Sequence, residues 1–188
     1  APGGGSISAY CGALGVSLGI MVANLSAHKR GWDDEWEFYS NWGEKGVTLQ
    51  EMLIDLVDED TNAFNSIIKA FSLPKDTDEN LKIREIEIQK ATKNAIDVPY
   101  KIMHVCIESC ELLLAMAKKG NPNSISDVGV GMYCIHAAVK GSYLNVRINS
   151  KELKDKKIVK KVDIECNKII KKINSKLIEI QSILDRKL

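Results

Sequence analysis

The sequence predicts an all-α fold: an up-and-down helical bundle of five to six helices in one domain spanning residues 1–188. Three observations predict it. Apolar residues recur at gaps of three and four, most clearly at Val159, Val162, Cys166, Ile169, Ile173, Leu177, Ile180 and Leu184. Aromatic residues make up only 6% of the chain, whereas strands favour aromatic and β-branched residues in alternation. Helix start and stop signals punctuate the chain at intervals suited to long helices. Residues 143–148 alternate briefly, but their flanks are helical in pattern.

The first helix is the uncharged run from Ile7 to Ala27, which follows Pro2-Gly3-Gly4-Gly5-Ser6. Its length invites a transmembrane reading, and Gly15 and Gly19 form a G-x-x-x-G pair. Ser8, Ser17, Asn24 and Ser26 interrupt the run, and no second such segment exists. A central helix buried on all sides is the better expectation, with no membrane involved. His28-Lys29-Arg30 closes the helix with charge that suits its C-terminal dipole. Residues 31–37 hold two of the three tryptophans and read as a short helix or ordered connection. The second long helix is expected over 48–71, with Thr48 as N-cap and Glu51 completing a capping box. Leu73-Pro74 ends it. Thr77 reads as the next N-cap, for a helix over 78–96. Pro99 marks a break with Asp97 as cap, and the following helix stops at Gly120. After the turn Asn121-Pro122-Asn123-Ser124, Ser126-Asp127 opens a helix reaching about residue 148. Asn149-Ser150 is expected to cap the last helix, over 151–186.

Composition narrows the function classes. The chain has 188 residues, 45% hydrophobic and 27% charged, as in an ordinary soluble domain with a real core. A net charge of +1 removes the bulk electrostatic argument for nucleic acid. Charge is uneven along the chain: residues 151–188 carry 12 Lys/Arg against 6 Asp/Glu, and residues 1–150 carry 14 against 19. The apolar stripe of the last helix argues for a packed helix with a solvated lysine face, without the interleaved aromatics of a single-strand binder. The five cysteines are odd in number and form no C-x-x-C pair, and no secretory signal pattern precedes them. Reduced thiols in a cytoplasm are expected, most of them acting as small buried hydrophobes. His28, His104 and His136 stand far apart and none has zinc-site spacing, so no metal centre is expected.

Three features could carry chemistry. Leu49, Met52, Leu53, Leu56, Ala63, Phe64 and Ile67 define an apolar stripe, and Asp60 falls on it. Asp58, two residues earlier, points to another face at 100° per residue. A carboxylate on a core-facing stripe is costly unless paired or functional, and burial suits it to proton transfer near neutral pH. A structural Asp, bonded to a buried helix end or to a cation, fits the register equally well. The glycine run before Ser6 opens a helix whose free N–H groups favour anions, though it matches neither a P-loop nor a Rossmann fingerprint. Asn121, Asn123, Asn145 and Asn149 either cap helices or present amides to a heterocycle.

These features occur together and in order in one family. Pro2-Gly3-Gly4-Gly5-Ser6 with Gly12-Ala13-Leu14-Gly15 resembles the opening of the cyclodeaminase domain of the formiminotransferase-cyclodeaminase family, as do the related methenyltetrahydrofolate cyclohydrolases. The block from Val57-Asp58-Glu59-Asp60 to Ala63-Phe64, then Leu73-Pro74-Lys75, is similar to the family pattern V-D-x-D-x-x-A-F…L-P-K. Arg84, Val98-Pro99, Gly120-Asn121, Ser126-Asp127, Gly141 and Asn145-Val146 follow at the family spacing. The resemblance implies a helical bundle that forms homodimers, a tetrahydrofolate derivative as substrate, no cofactor, and a formiminotransferase as partner. It implies conversion of 5-formiminotetrahydrofolate to 5,10-methenyltetrahydrofolate with release of ammonia, or hydration of the methenyl bridge in the stand-alone relatives; a non-enzymatic bundle that only binds folate or partners is the third reading, and it makes Asp60 dispensable. It assigns acid–base catalysis to Asp60, with Asp58 as second candidate. Substrate binding falls to Gly3, Gly4, Gly5 and Ser6, to Lys75 and Arg84 (with Lys29 and Arg30) for the glutamate tail, and to Asn123, Asp127 and Asn145 for the pterin or for closing the pocket across a dimer interface.

Overall fold

The apolar first run becomes a helix that packs against three others but is not buried on all sides as expected, since Ile7, Tyr10, Leu14, Met21 and Leu25 are exposed. The computed structural model describes residues 2–188, apart from the side chain of Asp33. Five helices follow one another: α1 (Gly4–Ala27), α2 (Trp36–Phe71), α3 (Asp78–Lys119), α4 (Ile125–Ser150) and α5 (Lys156–Lys187). Single 3-10 turns at Asp33–Glu35 and Pro122–Ser124 precede α2 and α4, and the described residues contain no strand. α1 packs against α2, α4 and α3, while α5 covers α3 and α4. α1 and α2 run antiparallel, since the Gln50 amide reaches Ser17 Oγ at 2.6 Å while Ser6 meets Asp60. α1 and α4 are antiparallel too, with Gly15 against Gly131 and Gly4 against Asn145. The bundle is therefore up-and-down, as the periodicity predicts.

Close approach explains the small residues. A Cβ on Gly15 would lie 2.7 Å from the Gly131 carbonyl oxygen, and one on Gly131 would lie 2.9 Å from that of Gly15. Only glycine at both positions lets the α1 and α4 backbones touch. α1 is long and apolar enough to cross a membrane, with mean hydropathy 1.7, but 56% of that window is buried among neighbouring helices. The stripe on α5 is also buried as predicted, at Val162, Cys166, Ile169, Ile173, Ile180 and Leu184.

The boundaries differ from the sequence reading at three places. α2 starts at Trp36 and passes through Thr48, whose hydroxyl donates back to Glu44 O and caps nothing. Gly43 and Gly46 lie against Asn24 and Ile20 of α1, so packing overrides the helix penalty of glycine. α3 runs unbroken through Pro99, and Asp97 within it pairs with Lys93 at 2.8 Å instead of capping a new helix. Proline has no N–H to give the carbonyl four residues back, here Ala95. The Asn149 side chain supplies the missing donor to Ala95 O at 2.6 Å. Asn149 and Ser150 therefore end α4, and α5 is capped by Asp155, which accepts from the Lys157 and Ile158 N–H groups. Thr77 caps α3 as expected, accepting from Asn80 N–H.

The α2–α3 hairpin extends past the start of α1. Phe64, Ile68 and Phe71 are about half exposed on the side of α2 that faces α1 lower down. Phe64 and Met52 thus leave the buried stripe that the sequence assigned to them, while Leu49, Leu53, Leu56 and Ala63 stay in it. All five cysteines are free; Cys106, Cys110 and Cys166 are buried, and Cys11 and Cys134 half-buried. Burial pushes the Cys110 and Cys166 thiols up to about 12, so they stay protonated and inert.

Candidate active site

The start of α1 has no cap of its own. Gly3 occupies the N-cap position and has no side chain with which to bond the first turn. The missing cap comes from α2. Asp60 Oδ2 accepts from both the Ser6 N–H and the Ser6 hydroxyl, each at 2.8 Å. A carboxylate at a helix N-terminus is favoured by both the free N–H groups and the dipole. Asp60 is half-buried, and its Oδ1 has no hydrogen-bond partner among the described residues. That free oxygen lies directly over Gly5, where any Cβ would overlap the carboxylate. Gly5 thus makes room for the acid, which the glycine run alone did not reveal.

α4 forms the opposite wall. Asn145 donates from Nδ2 to Gly141 O at 2.9 Å, which fixes its amide beside Gly4. A Cβ on Gly4 would sit 3.0 Å from that nitrogen. Buried Ser8 bonds Gly4 O at 2.7 Å and fills the space beside Gly141. Thr61, unremarked in the sequence, places its hydroxyl 3.2 Å from Ser6 Oγ and braces the clamp. Its only signal was adjacency to Asp60. One end of the bundle therefore gathers Gly4, Gly5 and Ser6 from α1, Asp60 from α2 and Asn145 from α4, with exposed Gly3 at the mouth.

Other predicted residues lie elsewhere. Asp58 is exposed and makes no hydrogen bond or ion pair among the described residues, as its register on another face requires. Lys75 is exposed in the α2–α3 connection. Arg84 donates to Phe71 O at 3.2 Å and lies over the Phe71 ring, so it ties the hairpin together. Phe71 is eleven residues from Asp60 along α2, ~16 Å at the helical rise. Asp127 belongs to the opposite end of α4, ~27 Å from Asn145, and Asn123 to the 3-10 turn that precedes it. Lys29, over the Trp32 ring, and Arg30 lie at that same far end of α1. The chain does not bring these four to Asp60, because α1 and α4 each run the full length of the bundle. A cleft of about 700 Å³ opens between α2 and α3, with Lys69, Lys90 and Lys93 on its wall, but Asp60 does not line it. Among the described residues no group of three His, Cys, Asp or Glu side chains is placed to hold a metal.

A clamped carboxylate facing a glycine helix start offers a positioned proton acceptor beside N–H groups that attract anions. The Formiminotransferase-cyclodeaminase family profile matches residues 1–168. The chain is 38% identical over 155 residues to a methenyltetrahydrofolate cyclohydrolase of Methylorubrum extorquens, covering 82% of this chain and 74% of that protein. It is 36% identical over 157 residues to the formimidoyltransferase-cyclodeaminase of Gallus gallus, covering 84% of this chain but only 29% of that longer protein. The crystal structure of formiminotetrahydrofolate cyclodeaminase from Thermotoga maritima superimposes with a TM-score of 0.86 at 28% identity, over 98% of this chain and 88% of that one. With a family match across most of its length and a shared helical fold, the chain belongs to the formiminotransferase-cyclodeaminase family, whose named members here are enzymes of folate one-carbon metabolism.

Proposed function

We propose that this chain converts 5-formiminotetrahydrofolate to 5,10-methenyltetrahydrofolate and ammonia, with Asp60 as the acid–base group. The observation that carries the reading is the Asp60 carboxylate, held on one oxygen by Ser6 and free on the other, over Gly5. In this reaction the folate N10 attacks the formimino carbon and a tetrahedral intermediate forms. The substrate enters as the formiminium (=NH2+), so after attack that nitrogen is –NH2; the free oxygen of Asp60 takes the proton from N10 and delivers it to this nitrogen, which leaves as ammonia. The nitrogen lone pair forms the methenyl double bond of the N5–C–N10 bridge as the C–N bond to ammonia breaks. One carboxyl serves as base and then as acid, so Asp58 has no part in the step. Ser6 keeps the carboxylate in one orientation throughout. Asn145 and the Gly4 backbone contact the pterin. Phe64, Ile68 and Phe71 form an apolar strip for the aminobenzoyl group, with Arg84 and Lys75 at its far end for the glutamate carboxylates. A formiminotransferase would supply the substrate.

The second reading is 5,10-methenyltetrahydrofolate cyclohydrolase, favoured by the 38% identity to an enzyme of that name. Asp60 would then activate a water that adds to the methenyl carbon. One assay separates the two readings. Purified protein is offered each folate in turn and the methenyl absorbance followed. Gain of absorbance from 5-formiminotetrahydrofolate supports cyclodeamination, and loss from 5,10-methenyltetrahydrofolate supports hydrolysis. No change with either would overturn both.

A further inference from the structure

Ser6 is the exception among the serines of α1. Ser8, Ser17 and Ser26 each turn the hydroxyl back to the carbonyl four residues earlier, at 2.7 to 2.8 Å. That is the ordinary local bond of a helical serine. The fully buried Ser6 instead sends its hydroxyl to Asp60 Oδ2 at 2.8 Å. A hydroxyl has one proton, and an ionised carboxylate can only accept. The Ser6 proton is therefore spent on Asp60, so in the 3.2 Å contact between the two hydroxyls Thr61 is the donor. The Thr61 proton has a second acceptor, Val57 O, also at 3.2 Å. Val57 O does not depend on it, because within α2 that carbonyl already receives the helical N–H of Thr61. The charge on Asp60 decides between the two acceptors. With Asp60 ionised, the two hydroxyls line up in series toward the negative charge and each strengthens the next. With a proton on Asp60 that charge is gone, and Val57 O competes on equal terms.

We infer that Thr61 is a positioning residue for the proton transfer, acting through Ser6. Its hydroxyl holds the Ser6 hydroxyl on Asp60 while the acid is a carboxylate, and turns back to Val57 O once the acid has taken its proton. Without the Thr61 hydroxyl, nothing on α2 except Asp60 keeps the Ser6 side chain from folding back along α1 as Ser8, Ser17 and Ser26 do. Asp60 Oδ2 would then keep only the Ser6 N–H. A carboxylate held by one bond turns about its own axis, and its free oxygen leaves the position over Gly5. A threonine that only filled space, or only bonded back along its own helix, would leave that orientation untouched. The catalytic part of this role rests on the proposed folate chemistry; the hydrogen-bond chain does not.

Steady-state kinetics test the role, on whichever of the two folates wild type turns over. Thr61→Val keeps the branched shape and removes the hydroxyl. It should lower kcat about tenfold and leave KM within about twofold. Thr61→Ser, which keeps the hydroxyl, should hold kcat within about twofold of wild type. In a Ser6→Ala background Thr61→Val should have no further effect, because the link through which it acts is gone. Unchanged kcat in folded Thr61→Val would overturn the role. So would a loss confined to KM, equal losses in Thr61→Val and Thr61→Ser, or losses that multiply in the Ser6→Ala background. If wild type turns over neither folate, the folate reading fails by itself, and urea unfolding still decides the hydrogen-bond chain. Thr61→Val should then lower the folding equilibrium constant about fivefold more in wild type than in the Ser6→Ala background, and independent losses would overturn the chain. Thr61→Ala takes the place of Thr61→Val in each comparison if the valine variant does not fold.

Discussion

Asp60 caps a helix it does not belong to, and that tie explains why a carboxylate tolerates an apolar stripe. Of the two readings left open by its register, the structure shows the first, a bond to a helix end, and leaves the other oxygen without a partner among the described residues. Sequence register located the acid but not its partner, because contact with Ser6 spans 54 residues of chain. Gly5 is the residue on which the geometry depends most. We predict that Gly5→Ala forces its methyl into the Asp60 carboxylate, costs about 1–3 kcal/mol of stability, and abolishes turnover. Gly3→Ala, where a Cβ meets nothing within 4 Å, should leave the melting temperature within about 1 °C of wild type. Equal effects of the two substitutions in thermal melts would contradict the clamp.

At the scale of the element, α3 shows why a proline signal misled. Pro99 ends a helix only where the orphaned carbonyl has no other donor, and Asn149, fifty residues away, provides one. We predict that Asn149→Ala costs about 1–3 kcal/mol by leaving Ala95 O unpaired. In a Pro99→Ala background the restored N–H should serve that carbonyl, and Asn149→Ala should then cost less by at least about 1 kcal/mol. A double-mutant cycle in urea measures the coupling, and additive losses would show that the Asn149–Ala95 bond does not offset the proline. The start of α2 was missed for a related reason. Gly43 and Gly46 read as loop residues in isolation, yet each lies where α1 approaches closely. By contrast, Thr77, Gly120 and the α5 stripe were legible because their signals are local.

Across the whole molecule, scarce aromatics and abundant small residues mean helices packed at close range, with thiols filling the core. Cys110 and Cys166 ionise near 9 in the unfolded chain, and burial raises them to about 12 in the fold. Between those values only the folded chain keeps the protons, so their contribution to stability is complete below about pH 9 and is lost as pH rises toward 12. Melting temperature should therefore fall across that interval, and less steeply in Cys166→Ala; an equal slope in that variant would contradict this origin. The fold class and the order of elements could be read from periodicity. Which predicted residues meet could not, since that depends on helices long enough to carry Asp127 and Asn145 to opposite ends. The central claim is that Asp60 moves the proton. It is tested most directly by turnover of Asp60→Asn on 5-formiminotetrahydrofolate, beside wild type and with folding checked by circular dichroism. The amide can still accept from Ser6 but cannot relay a proton, so a loss of about 10²–10⁴-fold is predicted. A folded Asp60→Asn protein with near-normal turnover would contradict the account.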